Sequence, residues 1–326
     1  MDNVLLDIKN LEVWYKTYRG YAEVVNGIDF HVNKGEKVAL VGESGCGKTT
    51  TMKTVLQIID KSSSHIPRGQ ILFENKDILK MGEGELLKIR RNDISMISQS
   101  PSAALNPVFK IGQQIIDVIK YSDHARKLSK DEMRDAAKSA VKSVMISDQE
   151  RILNSYPHQL SGGMKQRICI AMALVAPKAL IIADEPGTAL DVTIQDQIHR
   201  LLSALVAERR MSLVMITHSL GVARELVDRI YVMYAGNIVE VATTKELFKN
   251  PLHPYTVGLM SCVPRLSGGG IAEGIYGYVP SYINPAPGCR FRTRCPKAIE
   301  ICSKKRPPLV EVNENHKIAC FNFIET

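Results

Sequence analysis

A chain of 326 residues, 45% apolar and 23% charged, has room for one large domain or two ordinary ones and the composition of a soluble globular protein, not a disordered, fibrous or membrane-embedded one. Its longest apolar candidate, 171–183, is interrupted by Pro177 and Lys178 and falls short of the ~20 residues that span a bilayer, and Met1-Asp2-Asn3 lacks the basic start and apolar segment of a signal peptide, so the expected location is the cytoplasm. The net charge of +8 comes from Lys and Arg scattered everywhere except near the C-terminus, which favours a solvated surface over a nucleic-acid partner.

The opening alternates apolar and polar residues: Leu5, Ile8, Leu11, Val13 and Tyr15, then Val24, Val25, Ile28, Phe30 and Val32, with Gly20 and Gly27 as breaks. This predicts two or three antiparallel strands. Tyr15 is placed where an aromatic face could stack on an adenine ring. Trp14 and Tyr21 are rivals for that role, and an ordinary half-buried strand tyrosine is an equal alternative.

The apolar run 38–41 reads as a buried strand, followed directly by Gly42-Glu43-Ser44-Gly45-Cys46-Gly47-Lys48-Thr49 and a helix expected over 50–59. The spacing G-x-x-x-x-G-K-[ST] in that context is a phosphate-binding loop. Glycines let backbone N–H groups curl around a phosphate, the helix start adds its dipole, Lys48 reaches the β- and γ-phosphates, and Thr49 offers a hydroxyl to Mg²⁺. The residues expected on the nucleotide here are Gly42, Ser44, Gly45, Cys46, Gly47, Lys48, Thr49 and Thr50.

A short strand is expected over 70–74 and another over 94–99, delivering Gln99 at its end. A glutamine there can coordinate Mg²⁺ or orient a water. From 101 to about 156 helical spacing takes over (Ile111, Ile115, Val118, Ile119; Met133, Ala136, Ala140, Val144), which reads as a helical subdomain. It ends in Leu160-Ser161-Gly162-Gly163-Met164-Lys165-Gln166-Arg167. Ser161 suits an N-cap, and Gly162 and Gly163 expose N–H groups at a helix start, a second anion site. Two such sites are not readily filled by one nucleotide in one chain, so the second is expected to serve a nucleotide held mainly by another subunit.

The run 179–183 reads as a buried parallel strand with Asp184 and Glu185 at its C-terminal end, where open α/β sheets bind ligands. Asp184 is suited to holding Mg²⁺ through water and Glu185 to polarising the attacking water. Asp191 precedes a helix over 192–209, and the apolar strand 212–217 ends in His218, placed to contact the γ-phosphate and keep Glu185 and the water in line. A strand pair over 230–233 and 237–241, joined by Tyr234-Ala235-Gly236, closes the core.

Cys46, Cys169 and Cys262 are isolated and read as small core or loop residues, with Cys46 open to oxidation in the nucleotide loop. Cys289, Cys295, Cys302 and Cys320 are separated by five, six and seventeen residues. Four thiolates in a reducing compartment suit a [4Fe–4S] cluster or a structural Zn²⁺. The lack of a close C-x₂₋₄-C pair and the Cys295-Pro296 step favour iron–sulfur, with plain structural cysteines as the alternative. Arg290, Arg292, Arg294, Lys297, Lys304, Lys305 and Arg306 would then offset the charge of the site.

The glycine loop, Gln99, the stretch 160–167, Asp184-Glu185, Ala189-Leu190-Asp191 and His218, in this order, resemble the nucleotide-binding subunit of an ABC transporter over roughly 4–250. Asn250-Pro251-Leu252-His253-Pro254-Tyr255-Thr256, Gly258-Leu259-Met260 and Val263-Pro264, with Glu43-Ser44-Gly45 and Ala189-Leu190-Asp191-Val192, resemble the ATPase subunits of dipeptide and oligopeptide importers. The resemblance implies an α/β P-loop core with an antiparallel β subdomain, a helical subdomain at about 101–165 and a Cys-containing extension over 251–326. It implies a head-to-tail dimer with a second, identical or sister ATPase, sandwiching two ATP with Mg²⁺. Two membrane-spanning permease subunits would dock on the Gln99 region and the helical subdomain, and an extracellular peptide-binding protein would deliver cargo. Members of this group with such a cysteine pattern are associated with an iron–sulfur cluster. Nickel-chelate or sugar cargo fits the same resemblance. A soluble ATPase acting on nucleic acid or ribosomes fits less well, since those resemble tandem or coiled-coil-split cassettes, and a non-catalytic cluster-sensing module is disfavoured by Glu185 and His218. Gly187 stands where the family commonly has threonine, and Ser219 where aspartate is common.

Overall fold

The computed structural model describes residues 3–123, 128–188, 190–262 and 274–324, so Ala189, Val263 and Pro264 of the motifs above lie outside the described residues. The chain is α/β and divides into two compact units, Met1–Lys80 with Met215–Thr326, and Met81–Val214.

In the first unit, β1 (Val4–Thr17) and β2 (Gly20–Asn33) form the expected antiparallel pair. The apolar alternation changes phase partway along each. In β1 the buried positions Leu6 and Ile8 give way to Leu11 and Val13, and the register shifts around Asn10, whose φ is +45°. One extra residue at such a bulge returns the apolar face to the core. β3 (Lys37–Val41) is buried from Val38 onward and leads through the glycine loop into α1 (Lys48–Val55). That helix opens before the expected 50–59 and stops earlier, because Gln57 adopts φ +51°, a left-handed turn that cannot continue it. β4 (Ser64–His65), β5 (Gln70–Phe73) and β6 (Lys76–Asp77) complete a sheet of order β2-β1-β5-β6 with β4 against β1.

The second unit opens with α2 (Glu83–Asn92), a helix outside the sequence expectations, where Glu85 accepts the Gly82 N–H at 3.2 Å. β7 (Ile94–Ile97) follows, then α3 (Pro101–Ala104), α4 (Ile111–Tyr121), α5 (Lys130–Ser143), α6 (Gln149–Asn154) and α7 (Gly162–Leu174). Helical periodicity there buries Ile111, Ile115 and Ile119 of α4 and Ala137, Ala140 and Val141 of α5. β8 (Leu180–Asp184) is buried throughout and runs parallel to β7, and α8 (Val192–Glu208) follows.

Beyond β9 (Ser212–Thr217) and α9 (Leu220–Leu226), β10 (Arg229–Tyr234) runs parallel to β3 and turns back into β11 (Asn237–Thr243). Ala235 at φ +43° and Gly236 at φ +81° make this turn, the two-residue geometry that matches strand twist. α10 (Thr244–Lys249) and α11 (Pro254–Ser261) come next, then α12 (Ile301–Lys304) and the hairpin β12 (Val310–Asn313) and β13 (His316–Ile318). β13 pairs with β11, giving the order β12-β13-β11-β10-β3, so the C-terminal segment extends the sheet that carries the glycine loop. Among the described residues no helix is long and apolar enough to cross a membrane.

Glu240, on β11 and fully buried, ties this segment down. Its carboxylate accepts the Leu252 N–H at 2.8 Å, the His253 N–H at 2.9 Å and His316 Nε2 at 2.8 Å. A buried carboxylate persists only when its lone pairs are filled in this way. Glu240→Ala, which strands all these donors, is expected to cost about 3–5 kcal/mol in denaturant unfolding; a loss below about 1 kcal/mol would show that the cluster is not holding the segment.

Candidate nucleotide-binding site

In the first unit the glycine loop is set by how closely it passes other backbone. A Cβ on Gly42 would lie 2.1 Å from the Met233 carbonyl oxygen, and one on Gly47, at φ +108°, would lie 2.9 Å from the Val24 carbonyl. Only glycine fits either place. Ser44 and Gly45 form the exposed tip, while Gly42, Cys46, Gly47 and Lys48 are buried and Thr49 and Thr50 are half-buried in the first turn of α1. Lys48 Nζ donates to the Gly42 carbonyl at 2.7 Å and the Glu43 carbonyl at 2.9 Å, arching the side chain over the loop. Cys46 points inward. Burial raises its pKa, and a protonated, enclosed thiol packs as a small apolar group instead of offering an oxidisable thiolate.

Tyr15 is half-buried and pairs with Ala22 on one side and Ser64 on the other. Successive strand residues face opposite ways, and Trp14 accordingly gathers with Tyr21 and His65, their ring centroids 6.1–6.3 Å apart. Those two rivals are thus engaged with each other on the face away from Tyr15. His218 is exposed immediately after β9. Ser219, in place of aspartate, still caps α9 by accepting the Val222 N–H at 3.4 Å, so this departure keeps the local function.

The second unit holds the remaining candidates. Parallel register sets Ile97 beside Ala183, which brings Gln99 and Glu185, each two residues farther on, into contact: Gln99 Nε2 donates to Glu185 Oε2 at 3.1 Å. Asp184 is 4% exposed at the end of β8. Glu185 sits at φ +45°, a conformation costly for a residue with a Cβ and characteristic of functional sites. The turn is held by Thr188 Oγ1, which donates to the Glu185 carbonyl at 3.1 Å and to its carboxylate at 3.3 Å. Gly187 adopts φ +108°, so a threonine here would need a different loop path. Ser161 Oγ accepts the Met164 N–H at 3.3 Å and caps α7, and Asp191 Oδ1 accepts the Ile194 N–H at 2.9 Å and caps α8. Cβ atoms on Gly162 and Gly163 would press to 3.0 and 2.9 Å from Leu190 and Ile194, so the glycines let the two helix starts lie together.

The metal expectation for Cys289, Cys295, Cys302 and Cys320 is corrected by the structure. Among the described residues no group of three or more His, Cys, Asp or Glu side chains is arranged to hold a metal ion, and all four cysteines are free. Neither the [4Fe–4S] cluster nor the Zn²⁺ alternative stands. Burial pushes the Cys289 thiol up to about 11 and raises Cys295 and Cys320 as well, so these side chains are held as neutral thiols. These thiols serve as small packing groups in a turn closed by the Cys289 N–H donating to the Cys302 carbonyl at 2.8 Å. The neighbouring arginines bind backbone: Arg290 Nη1 donates to the Glu23 and Ala235 carbonyls at 2.9 and 2.7 Å, and Arg306 Nη2 to the Gly27 carbonyl at 2.8 Å. They fasten the C-terminal segment to β2 and the β10–β11 turn.

Sequence reasoning missed the loop's C-terminal neighbours. Tyr255 Oη accepts the Glu43 N–H at 2.9 Å, Tyr282 Oη donates to the Gly45 carbonyl at 3.0 Å, and Arg294 Nη1 donates to Glu43 Oε2 at 2.9 Å. Tyr255 and Arg294 stood inside motifs already singled out, but nothing in their spacing gave their target.

Residues 25–188 match the family model described as ABC transporter, and 239–302 match the oligopeptide/dipeptide transporter C-terminal region. The oligopeptide transport ATP-binding protein AppD of Bacillus subtilis is 43% identical over 99% of this chain and 98% of its own length. The dipeptide transport ATP-binding protein DppD of the same organism is 42% identical over 97% and 94%. Among solved structures, the dimeric post-hydrolysis state of the ATP-binding cassette MJ0796 bound to ADP and Pi is similar at TM-score 0.64 and 28% identity, over 73% of this chain and 98% of that one.

The Gly42 contact gives a direct expectation. Gly42→Ala should displace the loop against β10, lower stability by about 1–3 kcal/mol in thermal or chemical melting and weaken binding of a triphosphate; a fully stable variant with unchanged binding would show that the close approach is not required.

Proposed function

Because this chain belongs to the ABC transporter family and carries the oligopeptide/dipeptide C-terminal region, we propose that it is the ATP-hydrolysing subunit of an importer for di- or oligopeptides, working at the cytoplasmic face of a membrane. The observation that carries the chemistry is Glu185, held in a strained turn at the end of a buried strand with Gln99 on its carboxylate. A carboxylate fixed in this way is suited to accept a proton from water as it attacks a terminal phosphate.

The glycine loop presents Ser44, Gly45, Cys46, Gly47 and Thr50 backbone at the start of α1 for the phosphates, and Lys48 moves from the loop carbonyls to the β- and γ-phosphates. Mg²⁺ prefers hard oxygen donors and keeps several waters. We assign it to Thr49, Gln99 and Asp184 from their chemistry taken one by one: a first-turn hydroxyl, an amide whose nitrogen donates to Glu185 and whose oxygen would be offered to the ion, and a carboxylate at a buried strand end. When bound, the ion neutralises phosphate charge. Tyr15 is the aromatic assigned to the adenine, and His218 keeps the water and γ-phosphate in line with Glu185.

Ser161, Gly162, Gly163 and Asp191 serve the nucleotide of a second ATPase subunit, identical or a sister chain, in a head-to-tail dimer. Closure on ATP and reopening after hydrolysis drive two membrane-spanning permease subunits, with an extracellular peptide-binding protein delivering cargo. A groove of about 460 Å³ in the second unit, lined by Arg91, Met96, Leu105, Val118, Tyr121 and Met172, supports this reading as the seat of a permease segment. We divide the protein at about residue 250 into the cassette, with its helical subdomain at about 101–165, and a C-terminal extension.

Glu185→Gln is expected to lower ATP turnover at least about 100-fold while MgATP binding is retained. Turnover within about threefold of the parent would remove Glu185 as the base.

A further inference from the structure

The phosphate loop contains an acid. Glu43 stands inside a segment whose other features gather positive potential, and its backbone carbonyl receives Lys48 Nζ. A bare carboxylate there would repel an incoming triphosphate. In the structure that charge is met by Arg294 of the C-terminal segment, whose side chain is 6% exposed against 28% for Glu43. The guanidinium is also held independently of Glu43: Nε donates to the Tyr276 carbonyl at 3.0 Å, Nη2 to the Ile275 carbonyl at 2.8 Å, and Nη1 to Tyr234 Oη at 3.3 Å as well as to Glu43. The same acid is gripped by its main chain through Tyr255, and the loop tip by Tyr282. A planar fork with donors spent in several directions is a geometry that arginine supplies and lysine does not.

We infer that the C-terminal segment is a working part of the nucleotide site, in which Arg294 is a positioning residue that cancels the Glu43 charge and turns this carboxylate away from the phosphates. The inference rests on the reading of the loop as an ATP site. It adds that ATP affinity is set partly from the far end of the chain, through an ion pair that touches no nucleotide. A merely structural contact and this electrostatic role make different demands. If Arg294 only braces the fold, removing Glu43 as well cannot repair its loss. If it neutralises Glu43, removing both charges restores the loop.

The test uses the full-length chain, with MgATP and MgADP titrated calorimetrically at low and high salt. The parent and Lys48→Ala are measured first: a parent that binds neither nucleotide would overturn the ATP reading itself. Given binding, Arg294→Gln should weaken MgATP about tenfold and MgADP less, since the diphosphate carries less charge. The loss should shrink at high ionic strength. The pair Glu43→Gln with Arg294→Gln should regain most of the affinity, and in turnover the effect should fall on KM rather than kcat. A double variant as weak as Arg294→Gln, or equal losses for the two nucleotides at all salt concentrations, would overturn the inference. Should Arg294→Gln not fold, Glu43→Gln alone, which removes the charge Arg294 is there to cancel, should bind MgATP at least as tightly as the parent, and a tenfold loss there would overturn it.

Discussion

Contact between backbones without a side chain between them is the constraint on which this structure turns. At Gly42 the loop passes so near the Met233 carbonyl that a single methyl would collide. The loop can therefore take this path only while β3 and β10 lie side by side in parallel register. That pairing in turn continues through β11 to β13, whose attachment depends on Glu240 and His316. The shape of the glycine loop near the N-terminus, the phosphate site we propose, is thus secured by strands contributed from the opposite end of the chain. Backbone N–H groups make good phosphate ligands only when they are already aimed, and this chain of contacts supplies the aim.

The placement of Glu185, the base we propose, in the second unit follows a similar logic. The register of β7 and β8 fixes where Gln99 and Glu185 emerge, and the left-handed turn at Glu185 sets the direction of its carboxylate. Gly187 and Thr188 complete the turn, one by conformational freedom and the other by hydrogen bonds. The strain of placing a side-chain residue at φ +45° is offset by the surrounding bonds, which is how sites that need an exact direction keep it.

Much of this was legible in the residues. The P-loop spacing, the buried strand ending at Asp184, the Ser161 cap and the 235–236 turn each rest on local chemistry that sequence states directly. The bulge at Asn10 and the early end of α1 at Gln57 were not legible: Asn enters the left-handed region more readily than most residues, but only context decides which Asn does so, and Gln has no such preference. The four C-terminal cysteines misled because ligand count does not specify ligand geometry: their number suited a metal, but among the described residues no group of three or more such side chains is arranged to hold one. The arginines beside them misled for the same reason, since their targets are carbonyls on β2 and at the β10–β11 turn, far off in sequence. Long-range side-chain pairings such as Arg294 with Glu43 leave no periodic trace at all.

This chain couples ATP hydrolysis to peptide import. The most direct measurement is ATP hydrolysis by the chain assembled with permease subunits and a second ATPase subunit in proteoliposomes, with and without the peptide-binding protein loaded with peptide. Hydrolysis should depend on Mg²⁺, rise with loaded binding protein, accompany peptide accumulation and disappear with Lys48→Ala. Peptide accumulation unaffected by Lys48→Ala, or hydrolysis indifferent to peptide in an assembly that transports it, would contradict the account.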